Sequence, residues 1–445
     1  MWQHSVTARA SIPALARRAR RPGRRRPEVG GREGGAAIVG LFTTLLLLIA
    51  AGLFAERATR ATGVPDIVLF LIGGLILGPV TGLARIQAGS GLASFILTFG
   101  AVFMLYEGGR RLSFSLLRQI WVGLTLLTTV GVLLTAAVVA VTAHLLGLDW
   151  TVSGLVAAIV AATDPATVIP LFRAVRVRPR LARLMEAESA CNDAISAVLT
   201  FGLLRLAQHG HAPSIAAAVG QVLWTVVGGL LVGLAFGVLA AWLLPGGRGP
   251  AVFDTREQGA VLSLVLILAS YAAATALGAS GYMAVFVAGV ISGNRDSFGT
   301  VPPLGHRLLH NSYLEQIGFL VRMLIFVVLG ASVSPFLLER FAGPAVIVTL
   351  VLIFIARPVA ILACMGPDRV ARWSVGEMRL AGWVRETGVV PAALAGVLLA
   401  DHAAYAETVA AFVFMAVIGT IVLQVPTTAW WARRCGVLEA SGPES

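Results

Sequence analysis

Lysine is absent from this chain: all 34 basic residues are arginine. Acidic residues number 22, and charged residues make up 13% of the 445 positions, against about 25% in a soluble globular chain. No stretch is long and polar enough to fold as a domain outside a bilayer. Three cysteines (Cys191, Cys364 and Cys435) are too few and too scattered for a disulfide framework or a metal site, and read as packing residues. What the chain has in excess is apolar: 57% hydrophobic residues, 49 glycines and a mean hydropathy of +0.86. Apolar runs of about 20 residues recur, as in polytopic membrane proteins. A nucleic-acid binder is not supported, because seven of the twelve net positive charges lie at the N-terminus (nine arginines less Glu28 and Glu33) and the rest follow membrane topology.

Thirteen apolar segments fall at 36–55, 63–81, 92–108, 119–147, 151–172, 183–207, 215–244, 258–277, 280–293, 314–338, 343–365, 380–400 and 405–428. They divide the chain into an Arg-rich N-terminal segment (1–35), a transmembrane domain (36–428) and a short tail (429–445). Nineteen arginines, from Arg57 to Arg434 and including the cluster Arg173, Arg176, Arg178, Arg180 and Arg183, belong to one side of this arrangement. Only Arg85, Arg205 and Arg340 belong to the other. The positive-inside rule makes the first side cytoplasmic, with the C-terminus inside. Residues 1–35 fall on the wrong side for this rule and read as an overcalled start, an amphipathic targeting segment or a miscounted helix; their Arg, Pro and Gly content indicates disorder.

An internal repeat is visible. Gly63, Gly74 and Gly78 match Gly278, Gly289 and Gly293 at a constant offset of 215. The segments are the second and ninth, an odd separation, so the two copies run in opposite directions. Inverted repeats of this kind build many secondary transporters.

Polar residues interrupt the apolar pattern at three places. In Thr163-Asp164-Pro165, with Pro170 beyond, prolines leave carbonyls without helical donors. A broken helix at bilayer depth is tolerated where it lines a cavity or is buried in protein; the plainer reading is a proline kink with a solvated Asp. The second interruption is Val384-Arg385-Glu386-Thr387-Gly388, where aligning Pro391 with Pro170 (offset 221) sets Arg385 opposite Asp164. Two interrupted helices would cross there with opposite charges at their ends, unless Arg385 and Glu386 lie at the interface beside Trp383. The third place is Glu188-Ser189-Ala-Cys-Asn192-Asp193. On a helix Ser189 and Asp193 share one stripe, Glu188 and Asn192 the next. An ionisable group at bilayer depth costs roughly 2.5–3.5 kcal/mol on insertion scales, so Glu188 requires a cation; Arg357 and Arg322 are the candidates. Asp193 is then the titrating carboxylate, which proton and cation can contest. Glu107 reads as a gate, a supporting carboxylate or a helix-end residue, and Asp66 as interfacial.

With Thr163-Asp164-Pro165, Glu188-Ser189 followed by Asn192-Asp193, the entry helix ending Gly74-Leu-Ile-Leu-Gly78-Pro79, and Arg357, the chain resembles the monovalent cation:proton antiporters of the sodium/proton exchanger branch over roughly residues 40–425. The resemblance implies an all-α membrane fold of about thirteen helices with two interrupted crossing helices, a core moving against a dimerisation domain, and a homodimer in the cell membrane. It implies that Asp193 carries the ion, helped by Asp164, Thr163 and Ser189. Glu188, Asn192 and Arg357 form the supporting network, to which Arg385 is added. Members with Asn-Asp at this place are typically electroneutral, whereas electrogenic relatives carry Asp-Asp and a membrane lysine. The familiar Gly-Leu-Arg-Gly segment departs here, with two extra residues and an added acid, and Arg322 is unexpected.

The expected activity is electroneutral exchange of Na⁺ for H⁺, with K⁺ as the alternative cation, no cofactor and no catalysis. Two remoter readings are a transporter of another solute, against which the paired acids argue, and an intramembrane protease of rhomboid type. The latter rests on Gly278-Ala279-Ser280-Gly281 and lacks a histidine on a neighbouring apolar segment.

Overall fold

The computed structural model describes residues 30–83, 90–164, 171–172, 174–208, 215–244, 256–299, 304–403 and 405–439. Residues 1–43 and 44–445 form separate compact units; the described part of the first, residues 30–43, is helical. The helices are α1 Gly30–Thr62, α2 Asp66–Leu75, α3 Gly91–Arg111, α4 Phe114–Leu126, α5 Val132–Leu145, α6 Trp150–Val160, α7 Pro179–Gln208, α8 Ile215–Leu243, α9 Arg256–Ala276, α10 Gly281–Gly293, α11 Leu304–Ser332, α12 Pro335–Val351, α13 Arg357–Met365, α14 Val375–Trp383, α15 Val389–Ala400 and α16 Ala406–Arg434. The strand pairing among the described residues is one isolated bridge, Val177 to Leu438. Nine described helical stretches are long and apolar enough to cross a membrane, and four shorter ones are apolar, so the chain is an all-α membrane protein of about thirteen spans.

Local chemistry sets the helix ends. Ser90 caps α3 by accepting from Ala93 N–H, and Ser374 with Glu377 forms a capping box on α14. Several boundaries differ from the sequence reading; the helix expected from 314, for example, begins at Leu304. The helix expected to begin at 36 starts at Gly30, and the final one continues past 428 to Arg434. The run read as 314–338 breaks before Pro335, which fits the first turn of a new helix; Arg340 therefore sits on α12 rather than in a loop.

The repeat is carried by backbone contacts. Gly63 and Gly278 precede their helices at φ +73° and +70°, a left-handed conformation that glycine adopts without steric cost. A Cβ on Gly74 would overlap the Val327 carbonyl, and one on Gly289 would overlap the Tyr106 carbonyl. Gly78 likewise abuts Ala331, and Gly293 abuts Arg110. In return Gly330 abuts Leu71, and Gly109 abuts Phe286. Hence α2 packs on α11 as α10 packs on α3, backbone against backbone, as small residues allow within a bilayer. Between these copies the α2/α10 residues differ by 215 and the α3/α11 residues by 221 (327 − 106, 331 − 110, 330 − 109). The six-residue difference from the Pro170/Pro391 alignment is therefore an insertion between the repeated helices.

Candidate ion-binding site

Helix α6 ends at Val160 and the chain runs on without helical structure through Asp164; α14 ends at Trp383, and residues 384–388 are non-helical before α15. The two breaks lie side by side. Asp164 N–H donates to the Glu386 carbonyl at 2.8 Å. Arg385 donates through Nη2 to the carbonyls of Val160 (2.8 Å) and Ala161 (2.9 Å), at the C-terminus of α6. The Asp164 carboxylate accepts from Val389 N–H, at the N-terminus of α15, at 3.0 Å. A cation thus meets the negative end of one half-helix and an anion the positive end of the other. Gly388 leaves room for this, since a Cβ there would overlap the Asp164 side chain. The interface position near Trp383 does not apply, because Arg385 and Glu386 are both 2% exposed. Residues 165–170, including Pro165, Thr167 and Pro170, lie outside the described residues.

Helix α7 closes the other wall. Ser189 Oγ donates to the Thr163 carbonyl at 2.5 Å, and Asn192 Nδ2 lies 3.5 Å from Thr163 Oγ1 and 3.4 Å from Glu188 Oε1. Ser196 Oγ anchors α7 to α6 through the Ala158 carbonyl at 2.6 Å. One turn beyond Ser189, the Asp193 carboxylate is close enough to Asp164 for their charges to interact, and its Oδ1 is buried without a hydrogen-bond partner. Thr163 and Ser189 are thereby brought together beside Asp164, with Asp193 one helical turn beyond Ser189 on α7. Hydroxyl, carbonyl and carboxylate oxygens are hard donors, suited to an alkali cation.

Behind this wall Glu188 is held by Arg357. Nη2 donates to Oε2 at 2.9 Å, Nη1 pairs with Oε1, and Arg357 Nε donates to the Ala381 carbonyl at 2.9 Å. Arg322, the other candidate counter-ion, is 3.9 Å from Asp66 instead; it rides on α11, which packs against α2. Asp66 is therefore an ion-pair member as well as the first residue of α2. Glu107, in the last turn of α3, is buried and pairs with Arg111 at 2.8 Å and Arg110 at 3.8 Å. Among the described residues Cys191, Cys364 and Cys435 are free thiols.

Sequence reasoning missed the residues that repair the broken backbone. Thr420 Oγ1, on α16, accepts from Thr387 N–H at 3.1 Å, and Gln424 donates to the Trp383 carbonyl. Their signal was present: two polar residues four apart in an apolar helix. Ser280 is a helix cap, its Oγ accepting from Met283 N–H at 3.1 Å, which accounts for it without a protease.

A cavity of about 530 Å³ opens among the helix ends facing the arginine-poor side, lined by Val198, Phe201, Tyr271, Tyr282, Val397 and Asp401 among others. Burial holds the Asp401 carboxyl above its usual range, opposed by His402. The cavity reaches α7 at Val198, five residues from Asp193, or about 7.5 Å along the helix. Towards the arginine-rich side, Gly108 of α3 approaches Ala190 of α7, where a Cβ would sit 3.5 Å from the alanine Cβ.

Two helix breaks side by side, with acidic side chains at them, in a repeat-built bundle of membrane helices define a secondary ion transporter. The family model described as sodium/hydrogen exchanger, transmembrane, matches residues 42–434, and the chain belongs to that family of monovalent cation:proton antiporters. It is 31% identical over 365 residues to Na(+)/H(+) antiporter 1 of Methanocaldococcus jannaschii, covering 79% of this chain and 81% of that one. It is 29% identical over 354 residues to the K(+)/H(+) antiporter NhaP of Alkalimonas amylolytica, covering 79% of this chain and 58% of that one. The structure of the sodium proton antiporter MjNhaP1 from Methanocaldococcus jannaschii at pH 8 superposes with a TM-score of 0.78 at 25% identity, over 91% of this chain and all of that one.

Proposed function

We propose that the protein exchanges one Na⁺ for one H⁺ by competition at Asp193, with Asp164, Thr163 and Ser189 as further oxygen ligands. The observation that carries this reading is that Ser189, one helical turn before Asp193, donates to the Thr163 carbonyl next to Asp164 at the paired helix breaks, while Asp193 Oδ1 is buried without a partner. Two carboxylates in one pocket repel each other, and a proton or a monovalent cation relieves that repulsion. A neutralised site crosses an apolar barrier at lower cost than an empty, doubly ionised one, which couples the two fluxes. Asn192 stands where a second acid would add a charge, and a chain without lysine has no membrane ammonium to release an extra proton; both favour electroneutral exchange. The pocket would face the two sides alternately, with the arginine-rich face and the C-terminus in the cytoplasm, as a homodimer in the cell membrane. No resident cofactor enters this scheme.

Asp193→Asn is expected to abolish Na⁺-dependent proton movement in everted vesicles while the protein still inserts and folds; retained exchange refutes the assignment. K⁺ is the second reading, favoured by the similarity to a K(+)/H(+) antiporter. Comparing Na⁺, K⁺ and Li⁺ across pH, with and without a voltage clamp, separates the cations and tests electroneutrality.

A further inference from the structure

Behind the ion site a second, smaller cavity of about 10 Å³ lies between α5, α7, α13 and the interruption at 384–388, lined by Thr135, Thr163, Glu188, Asn192, Arg357 and Arg385 among others. That is about the space of one water. Two of its lining side chains, each 2% exposed, have a buried atom without a hydrogen-bond partner: the acceptor Asn192 Oδ1 and the donor Arg385 Nη1. The orientation of the Asn192 amide is set by its neighbours, because Nδ2 faces the acceptors Glu188 Oε1 and Thr163 Oγ1. A flipped amide would turn its oxygen towards a carboxylate.

We propose that Asn192 and Arg385 share one buried structural water in this cavity, accepting from Arg385 Nη1 and donating to Asn192 Oδ1. Its second hydrogen is available to a lining hydroxyl, Thr135 or Thr163. Charge selects the occupant: Arg357 and Arg385 against Glu188 leave one net positive charge on the walls, which repels an alkali cation. The water ties the 384–388 interruption to α7, so the amide that steadies Thr163 depends on Arg385, which also holds the end of α6. The site is independent of which cation the protein carries.

The test is a cryo-EM map of the full chain in lipid nanodiscs, at a resolution where ordered waters appear elsewhere in the core. The expected result is a peak within hydrogen-bond distance of both Asn192 Oδ1 and Arg385 Nη1. The peak should be lost in Thr135→Leu, which adds volume to the cavity wall, and kept in Thr135→Ser. Absence of the peak from the wild-type map overturns the proposal even if Thr135→Leu fails to fold. A peak that persists in a folded Thr135→Leu protein, or Tl⁺ anomalous density in the cavity of Tl⁺-soaked crystals, also overturns it.

Discussion

Replacing Glu188 by glutamine is expected to destabilise the protein more than replacing its partner Arg357 by alanine. Glu188 lies against Arg357, and both line one small cavity with the buried Arg385. Removing one partner of a buried ion pair costs about 3–5 kcal/mol, because the remaining charge is uncompensated. With Arg357→Ala, Glu188 still has Arg385, so the cost belongs near the lower limit, about 3 kcal/mol. With Glu188→Gln, two arginines at 3% and 2% exposure line one small cavity without a carboxylate, so the cost belongs near the upper limit, about 5 kcal/mol. Removing both partners in Glu188→Leu/Arg357→Met is expected to recover most of the loss, since apolar replacement of a buried pair is often neutral. Chemical denaturation in detergent, followed by tryptophan fluorescence, supplies the assay. Trp383 stacks on Trp431 at 5.2 Å and lies two residues from the carbonyl that Arg357 contacts. Equal losses in the two single variants, a larger loss for Arg357→Ala, or no recovery in the double variant would refute the charge count.

Three further outcomes test the site and its frame. Ser189→Ala removes the hydrogen bond to the Thr163 carbonyl, a loss of about 0.5–1.5 kcal/mol, and should raise the KM for Na⁺ roughly two- to ten-fold with the melting temperature nearly unchanged. Gly388→Ala places a methyl group on the Asp164 side chain and should abolish exchange in a protein that still folds; wild-type exchange would show that Asp164 has no fixed role there. Gly289→Val drives a side chain into the Tyr106 backbone of α3 and should remove the folded protein from membranes, as read by detergent-stable size-exclusion yield.

Much of this arrangement is legible in the sequence. Of the 34 arginines, nine belong to the N-terminal segment, nineteen to one side and three to the other, leaving Arg322, Arg357 and Arg385 within the membrane. That remainder points to buried charge, and the need of Glu188 for a cation narrowed its partner to two candidates. Periodicity could not choose between them, because it reports the faces of one helix and not which helices are neighbours. Glu188 and Arg357 are 169 residues apart, and the packing of α2 on α11 sends Arg322 to Asp66 instead. The roles of Thr420 and Gln424 are illegible in the sequence for the same reason: a polar residue in an apolar helix has no evident task until the broken backbone beside it is known.

By itself, the order of residues determined the membrane class, the number of spans, the inverted repeat and the short set of acids from which an ion site could be built. These follow from transfer free energies and spacing along one chain. Only the tertiary structure decided which charges meet: Asp164 at the start of α15, Arg385 at the end of α6, and Arg357 on Glu188. The physical reason is that the half-helix ends and buried charges satisfy one another across spans far apart in sequence, and each pairing exists only once glycine-lined backbones have brought the two repeats together.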